Sequence, residues 1–404
     1  MGPLAQKRFR RGEVMSKMSQ VNALVERADA LYRDADFTAV QRWKEANPGA
    51  KAVGYLPIYV PRELIHAAGM LPVGVTGHGD IEIIRGDAYF QSYICHLPRS
   101  VVELGVSGRL DSLDGILFPS ICDVVRNLSG MWKVMFPDRW TKYFDVPQNF
   151  DMEVGGKFYR AELNSVRHDL EELGGKPILD DALRASIAVY NENRQKLEAL
   201  YDARSRKPWK VPAWESYLMV RAGFVLPVEE HNALLDEYLA LAMARDEKSK
   251  DHIRVVVTGA FCEQPPVEMI RTLERAGCYI VDDDFLLGSR WLRQDVNAEG
   301  DPIFALADAF LNHSTSAPSK YQEDGKNGEA LVAIAKEKKA DGIVFCAPSF
   351  CDPALLDQPM AVAAVERADI PYTSFLYSEN TGQFQVIREQ AGTFADSIRL
   401  WSNS

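Results

Sequence analysis

The residues of this chain with the most distinctive chemistry are its six cysteines, Cys95, Cys122, Cys262, Cys278, Cys346 and Cys351. The first residues, Met1 to Ser19, carry Lys7, Arg8, Arg10, Arg11 and Lys17 but no apolar stretch of the kind a secretory signal needs. In a 404-residue chain without such a signal the cysteines are expected to be free thiols or metal ligands, not a disulfide scaffold. Any single one reads first as a small core hydrophobe, so position and company must argue for more. No Cys-x-x-Cys, His-Glu-x-x-His or Gly-x-Ser-x-Gly is present, which removes support for local zinc sites, thioredoxin-like redox chemistry and the common hydrolases. Thiolates this far apart in sequence suit a centre assembled between domains.

The elements that must position them alternate. Apolar residues at helical spacing run from Val21 to Lys44; short buried strands follow at Ala52 to Leu56, Leu71 to Val75, Gly115 to Phe118 and near Tyr143 to Val146. Helices are expected from Pro61 to Ala68, after Pro98 and from about Cys122. Between Gly155 and Ala244 the pattern becomes long amphipathic stretches, Ala161 to Leu173 and Asp181 to Tyr201 among them. Alternation resumes with strands at Ile253 to Thr258, Cys278 to Val281, Gly342 to Cys346 and Tyr372 to Leu376. Helices at Pro266 to Ala276, Phe304 to Leu311, Glu329 to Lys338, Ala354 to Ala368 and from Gln383 separate them. The pattern predicts an α/β protein of two doubly wound parallel-sheet domains joined by a helical segment. The expected divisions are a disordered leader over 1–18, an N-terminal α/β domain over 19–150, the helical segment over 151–250 and a C-terminal α/β domain over 251–404.

A formal net charge of −11 with 25% charged residues gives no general attraction to nucleic acid or anionic lipid, and no run of 18 apolar residues exists to span a membrane. The chain is read as cytoplasmic, with neither nucleic acid nor membrane as partner. No Gly-x-x-x-x-Gly-Lys-Ser/Thr loop is present, and in Gly174-Gly175-Lys176-Pro177 the proline denies a following helix its donors. Gly74, Gly77 and Gly79 lack the dinucleotide spacing, so neither an ATP nor an NAD site is expected.

On this map three cysteines share one address. Cys122 follows the strand ending at Phe118, Cys351 follows the strand ending at Cys346, and Cys95 sits just before a helix. Ligands of open α/β sheets gather beyond the carboxyl ends of strands, where helix N-termini favour anions such as thiolates. Three thiolates on a four-iron cluster leave one iron with an open position. Cys346 reads either as a core cysteine or as a competing ligand. His96, beside Cys95, is the one histidine to watch, although a polar surface role is its ordinary reading.

A family resemblance runs through the same residues. Gly54-Tyr55-Leu56-Pro57-Ile58-Tyr59-Val60-Pro61-Arg62-Glu63-Leu64 and onward to Val73, Cys95 with Arg99 and Ser100, Ser107-Gly108-Arg109-Leu110 and Cys122-Asp123 with Arg126 come first in order. Val257-Thr258-Gly259 with Pro265-Pro266, Asp283-Asp284, Gly288-Ser289-Arg290 and Ser349-Phe350-Cys351-Asp352-Pro353 follow. In order and wording these resemble the cluster-binding subunits of the benzoyl-CoA reductase and 2-hydroxyglutaryl-CoA dehydratase family. The resemblance implies a [4Fe-4S] cluster held by Cys95, Cys122 and Cys351, and so decides between Cys351 and Cys346. Cys262, Cys278 and Cys346 are left outside the ligand set. It further implies a homologous second cluster-binding subunit, separate ATPase subunits supplied indirectly by ferredoxin, and a CoA thioester substrate. Where the family often has a further cysteine this chain reads Asn312-His313-Ser314-Thr315-Ser316-Ala317, so no role carries over there.

The wording of the Cys351 segment points to the aromatic reductase branch, in which low-potential electrons reduce the ring of benzoyl-CoA. A 2-hydroxyacyl-CoA dehydratase subunit and a homodimeric double-cubane reductase are the enzyme alternatives. A two-domain small-molecule binding protein with merely packed cysteines is the non-enzyme one. The thioester is expected in the cleft between the domains. Arg99, Arg126 and Arg290 are candidate phosphate contacts, though each reads first as a salt-bridging residue.

Overall fold

The structure, a computed structural model, describes residues 19–77, 81–322, 326–378 and 384–402. The basic leader expected over 1–18 lies outside the described residues. Four short runs form the first sheet, the first three apolar and fully buried: β1 (Ala52–Tyr55), β2 (Leu71–Gly74), β3 (Gly115–Pro119) and β4 (Trp140–Phe144). All pairings are parallel, in the order β2-β1-β3-β4. The second sheet holds β5 (Ile253–Thr258), β6 (Cys278–Asp283), β7 (Gly342–Pro348) and β8 (Tyr372–Tyr377), also wholly parallel, ordered β6-β5-β7-β8. The expected α/β class with two parallel sheets is what the chain adopts. Both sheets therefore reverse their winding at the same place, between the first strand and the third, and that is where an open sheet forms its ligand crevice.

Between the sheets in sequence lie helices Lys157–Gly174, Asp180–Arg206, Ala213–Ala222 and Val228–Met243. One buried apolar cluster joins all three parts, with Val53 and Phe118 from the first sheet, Leu163 and Tyr217 from the helices, and Val257 and Phe310 from the second half. The element boundaries differ from expectation in a few places, each for a local reason. The helix expected after Pro98 begins at His96, because Cys95 takes the N-cap and the proline falls within the first turn, where its missing N–H costs nothing. The strand expected near Tyr143 to Val146 lies earlier, at Trp140–Phe144, in register with β3. The helix expected from Phe304 begins at Pro302, where the Asp301 carboxylate accepts from the amides of Ile303 and Phe304 at 2.9 and 3.3 Å.

Buried charge ties the long helix Asp180–Arg206 to the sheets. Arg194 meets Glu63 at 2.7 Å, and Arg204 meets Asp283 at the end of β6 at 2.6 Å, both pairs out of solvent. Next to the second pair, Arg290 contacts Asp282 at 3.2 Å and Glu198 at 3.0 Å. Tyr201 lies beneath both arginines and donates its hydroxyl to Asp283 at 3.1 Å. Burial pushes the Asp282 carboxyl up, but Arg290, Arg293 and Arg204 together hold it below the ordinary carboxylate value.

His231 is buried where the helices Asp180–Arg206 and Val228–Met243 meet, with ring nitrogens 2.9 Å from Asn193 Nδ2 and 3.0 Å from the Met219 carbonyl. Burial pulls its pKa down to about 4. A folded pKa below the unfolded one means that stability is fully present above roughly pH 6.5 and is lost as the pH falls toward 4. Between pH 7.5 and 5, wild type is therefore expected to lose about 2 kcal/mol more unfolding free energy than His231→Gln, measured by urea denaturation. Equal losses in the two proteins would refute the assignment.

Candidate cluster site at the domain crevice

The carboxyl ends of the strands deliver cysteines from both halves into one pocket. Cys95 is the N-cap of helix His96–Val106, Cys122 the N-cap of helix Asp123–Met135 after β3, and Cys351 the N-cap of helix Asp352–Arg367 after β7. The three sequence-predicted residues line a single recess together with Ile94, Ile121, Phe261 and Phe350. Its space, counted out to the open mouth, is about 490 Å³. The halves are pinned across it by the Leu97 amide, which donates to the buried Glu263 carboxylate at 3.4 Å. Just before Cys351, Phe350 takes a left-handed φ of 68° and leaves its ring 51% exposed at the rim. Backbone of that kind costs energy in a bulky residue and marks a turn that the surroundings enforce.

A fourth cysteine shares the recess. Cys262, set aside by the sequence reading, lies on the loop after β5, with its Sγ 3.8 Å from that of Cys351. Its position after β5 is a strand-end signal that could have found it; what hid it is the absence of a helix start directly behind it. Cys346 is fully buried within β7, in the core and outside the recess lining. Cys278 opens β6 and so sits at the opposite end of the sheet, beside Trp209 and Tyr279.

The electrostatics favour neutral thiols. Burial pushes the Cys95 thiol well up, and Glu263 with the neighbouring thiols adds to it. Cys122 is raised to about 11 by burial, against the amides of Val125 and Val124 in the first helical turn, which pull it down. For Cys262 the hydrogen bond to Cys351 comes first and burial second, both upward. Neutral thiols packed this way become thiolates when a metal supplies the opposing charge. Among the described residues no three His, Cys, Asp or Glu side chains stand close enough to grip a single metal ion. The thiols line a shared recess, and soft sulfur donors suit a thiophilic metal group over a hard cation.

The remaining candidates fare differently. His96 is buried, not on the surface, and borders a second recess with Arg99, Glu263 and Phe350 next to the thiols. Arg99 pairs with Asp87 at 3.1 Å and is half-buried there. Arg126 is exposed on the helix behind Cys122. Arg290 is locked in the buried ion network and stacked on Tyr201, which leaves it no freedom to meet a phosphate.

Paired parallel-sheet halves with a cysteine-lined recess between them define the class: a two-sheet α/β protein with a thiol-lined crevice. Its sequence comparisons give the family. The family model "2-hydroxyglutaryl-CoA dehydratase, D-component" matches residues 57–398, and the chain belongs to that family. It is 56% identical to one of the subunits of benzoyl-CoA reductase from Thauera aromatica, over 94% of this chain and 99% of that one. The beta subunit of lactoyl-CoA dehydratase from Anaerotignum propionicum is 30% identical over 88% of this chain and 93% of its own. For the beta subunit of (R)-2-hydroxyglutaryl-CoA dehydratase from Acidaminococcus fermentans the identity is 29%, over 87% and 93%.

Proposed function

We propose that the chain is an iron-sulfur subunit of an ATP-dependent benzoyl-CoA reductase, a cytoplasmic oxidoreductase that converts benzoyl-CoA to a cyclohexadiene carbonyl-CoA. The observation that carries this reading is the 56% identity to a benzoyl-CoA reductase subunit over nearly the whole chain, against 30% or less for the dehydratase subunits. The thiol-lined crevice supports the chemistry. Cys95, Cys122 and Cys351 hold a [4Fe-4S] cluster, each from a helix N-cap where backbone amides favour a thiolate. Such a cluster supplies single electrons of low potential. The chain's own part is to bury the group among Ile94, Ile121, Phe261 and Phe350, which keep water away, and to hold the two halves in register through Glu263. Partners follow from the same reading: a homologous second cluster-binding subunit, and ATPase subunits that take electrons from a ferredoxin. The thioester is assigned to the crevice side, near Arg99. The divisions at 19–150, 151–250 and 251–404 are proposed as the domains, supported by the strand positions.

The test combines the anaerobically purified chain with its partner subunits and a low-potential donor. Benzoyl-CoA is expected to gain two hydrogens by mass spectrometry only when ATP is present, and lactoyl- or 2-hydroxyglutaryl-CoA to lose water far more slowly. The reverse preference would move the chain to the dehydratase branch.

A further inference from the structure

We infer that a groove at the amino-terminal edge of the second sheet binds a nucleoside diphosphate, remote from the thiol-lined recess. Pro208 and Trp209, directly after the long helix Asp180–Arg206, line it on one side, and Arg388 of the last helix, Phe384–Ser402, joins the lining. His252 stands just before β5 and Cys278 opens β6, whereas the recess lies beyond the carboxyl ends of β5 and β7. A six-residue strand keeps the two places roughly 15–20 Å apart. The groove is therefore no part of the cluster site.

Three observations carry it. The groove is roomy, with a space of about 1330 Å³ counted out to its open mouth. Its fixed charge is cationic in a chain of net charge −11: Lys250, Arg271, Arg275 and Arg388 line it against Glu247 and Glu274. Lys250 and Arg388 are exposed and make no ion pair among the described residues. Glu274 accepts from the Ala213 amide at 2.7 Å, and burial raises its carboxyl to about 7, which weakens the opposing charge near neutrality. The third observation is an aromatic wall. Buried Tyr279 packs against His252 at 4.7 Å and Trp209 at 6.3 Å between ring centroids, and its hydroxyl accepts from the Lys250 amide at 2.7 Å. Trp209 is half-buried, so part of its indole is left to the groove. Burial and nearby cations lower the pKa of His252, and its Nδ1 lies out of solvent with no hydrogen-bond partner among the described residues.

Those features select the ligand class. Indole faces stack flat heteroaromatic bases, and lysine and arginine without carboxylate partners meet phosphate oxygens. An aliphatic anion would leave the aromatic wall unused, and an uncharged ring would leave the cations unused; a base joined to a short phosphate chain engages both. The start of helix Ala213–Ala222 does not supply the phosphate site, because Glu274 already occupies its Ala213 amide. No phosphate loop is involved, so the nucleotide is bound here and not hydrolysed. Free ADP and the nucleotide end of CoA share this chemistry.

The experiment titrates the full chain, purified without oxygen, with ADP, free CoA, adenosine and inorganic pyrophosphate in a calorimeter. Wild type, Trp209→Ala and the double variant Lys250→Ala with Arg388→Ala are compared, with circular dichroism as the check on folding. ADP or CoA is expected to bind wild type at least about tenfold more tightly than adenosine or pyrophosphate, each of which engages only one half of the groove. Tight ADP with weak CoA identifies the free nucleotide as the source, and the reverse order identifies CoA. Trp209→Ala should weaken binding about tenfold through lost stacking. The double variant, whose two side chains are exposed and outside the core, should weaken it about tenfold and flatten its dependence on salt. A wild-type chain that takes up neither ADP nor CoA overturns the site. So does CoA or ADP binding unchanged in both variants, which belongs elsewhere on the chain, or pyrophosphate binding as tightly as ADP, which marks a bare anion patch.

Discussion

Cys95→Ala, Cys122→Ala and Cys351→Ala are each expected to strip most of the iron from the anaerobically purified chain, whereas Cys278→Ala and Cys346→Ala retain it. The asymmetry follows from position. The first three are N-caps of helices, and at Cys122 the Val124 and Val125 amides oppose the upward push of burial on the thiol. Removing one of them removes a thiolate at a helix start, and the loss is not made good by Cys262, which has no helix start directly behind it. Cys346 is sealed in β7 and Cys278 is at the far end of β6, so neither reaches the recess. Iron analysis alongside circular dichroism separates loss of the cluster from loss of fold. If Cys346→Ala emptied the site while Cys351→Ala kept its iron, the ligand assignment would be wrong.

The second large effect is on stability. Asp283→Ala is expected to cost about 3–5 kcal/mol, because Arg204 then loses the carboxylate it directly contacts while 1% exposed. Tyr201 would lose the acceptor of its hydroxyl in the same step. The comparison that isolates the cause is the double variant Arg204→Met with Asp283→Leu, in which neither charge is left behind. That protein should recover most of the loss in urea denaturation, since exchanging a buried ion pair for apolar groups of similar volume is often close to neutral. An Asp283→Ala protein within about 1 kcal/mol of wild type would show that water reaches the pair and solvates Arg204. The effect matters for the site because this pair fastens the long helix to β6, next to Asp284, which holds the Cys262 loop.

The sheets were legible from the sequence because most of their strands, the edge strands β4 and β8 aside, are short apolar runs that are largely buried; Ile253 to Thr258 matches β5 residue for residue. Caps were read less well. Asp301-Pro302 is a standard helix opening that a search for apolar spacing passes over. His96 was misjudged because polarity suggests exposure, while the residue follows an N-cap at a domain crevice and is carried inward.

By itself the sequence determined the α/β class, the strand-end address of Cys122 and Cys351 and the helix-start address of Cys95, because these depend on local periodicity and on where a helix begins. Only the tertiary structure decided that these three meet, that Cys262 joins them and that Arg290 is spent on Asp282 and Glu198. Strand order and the closing of two sheets on one crevice are set by packing between segments far apart in the chain. No spacing along the sequence records which loop ends will touch.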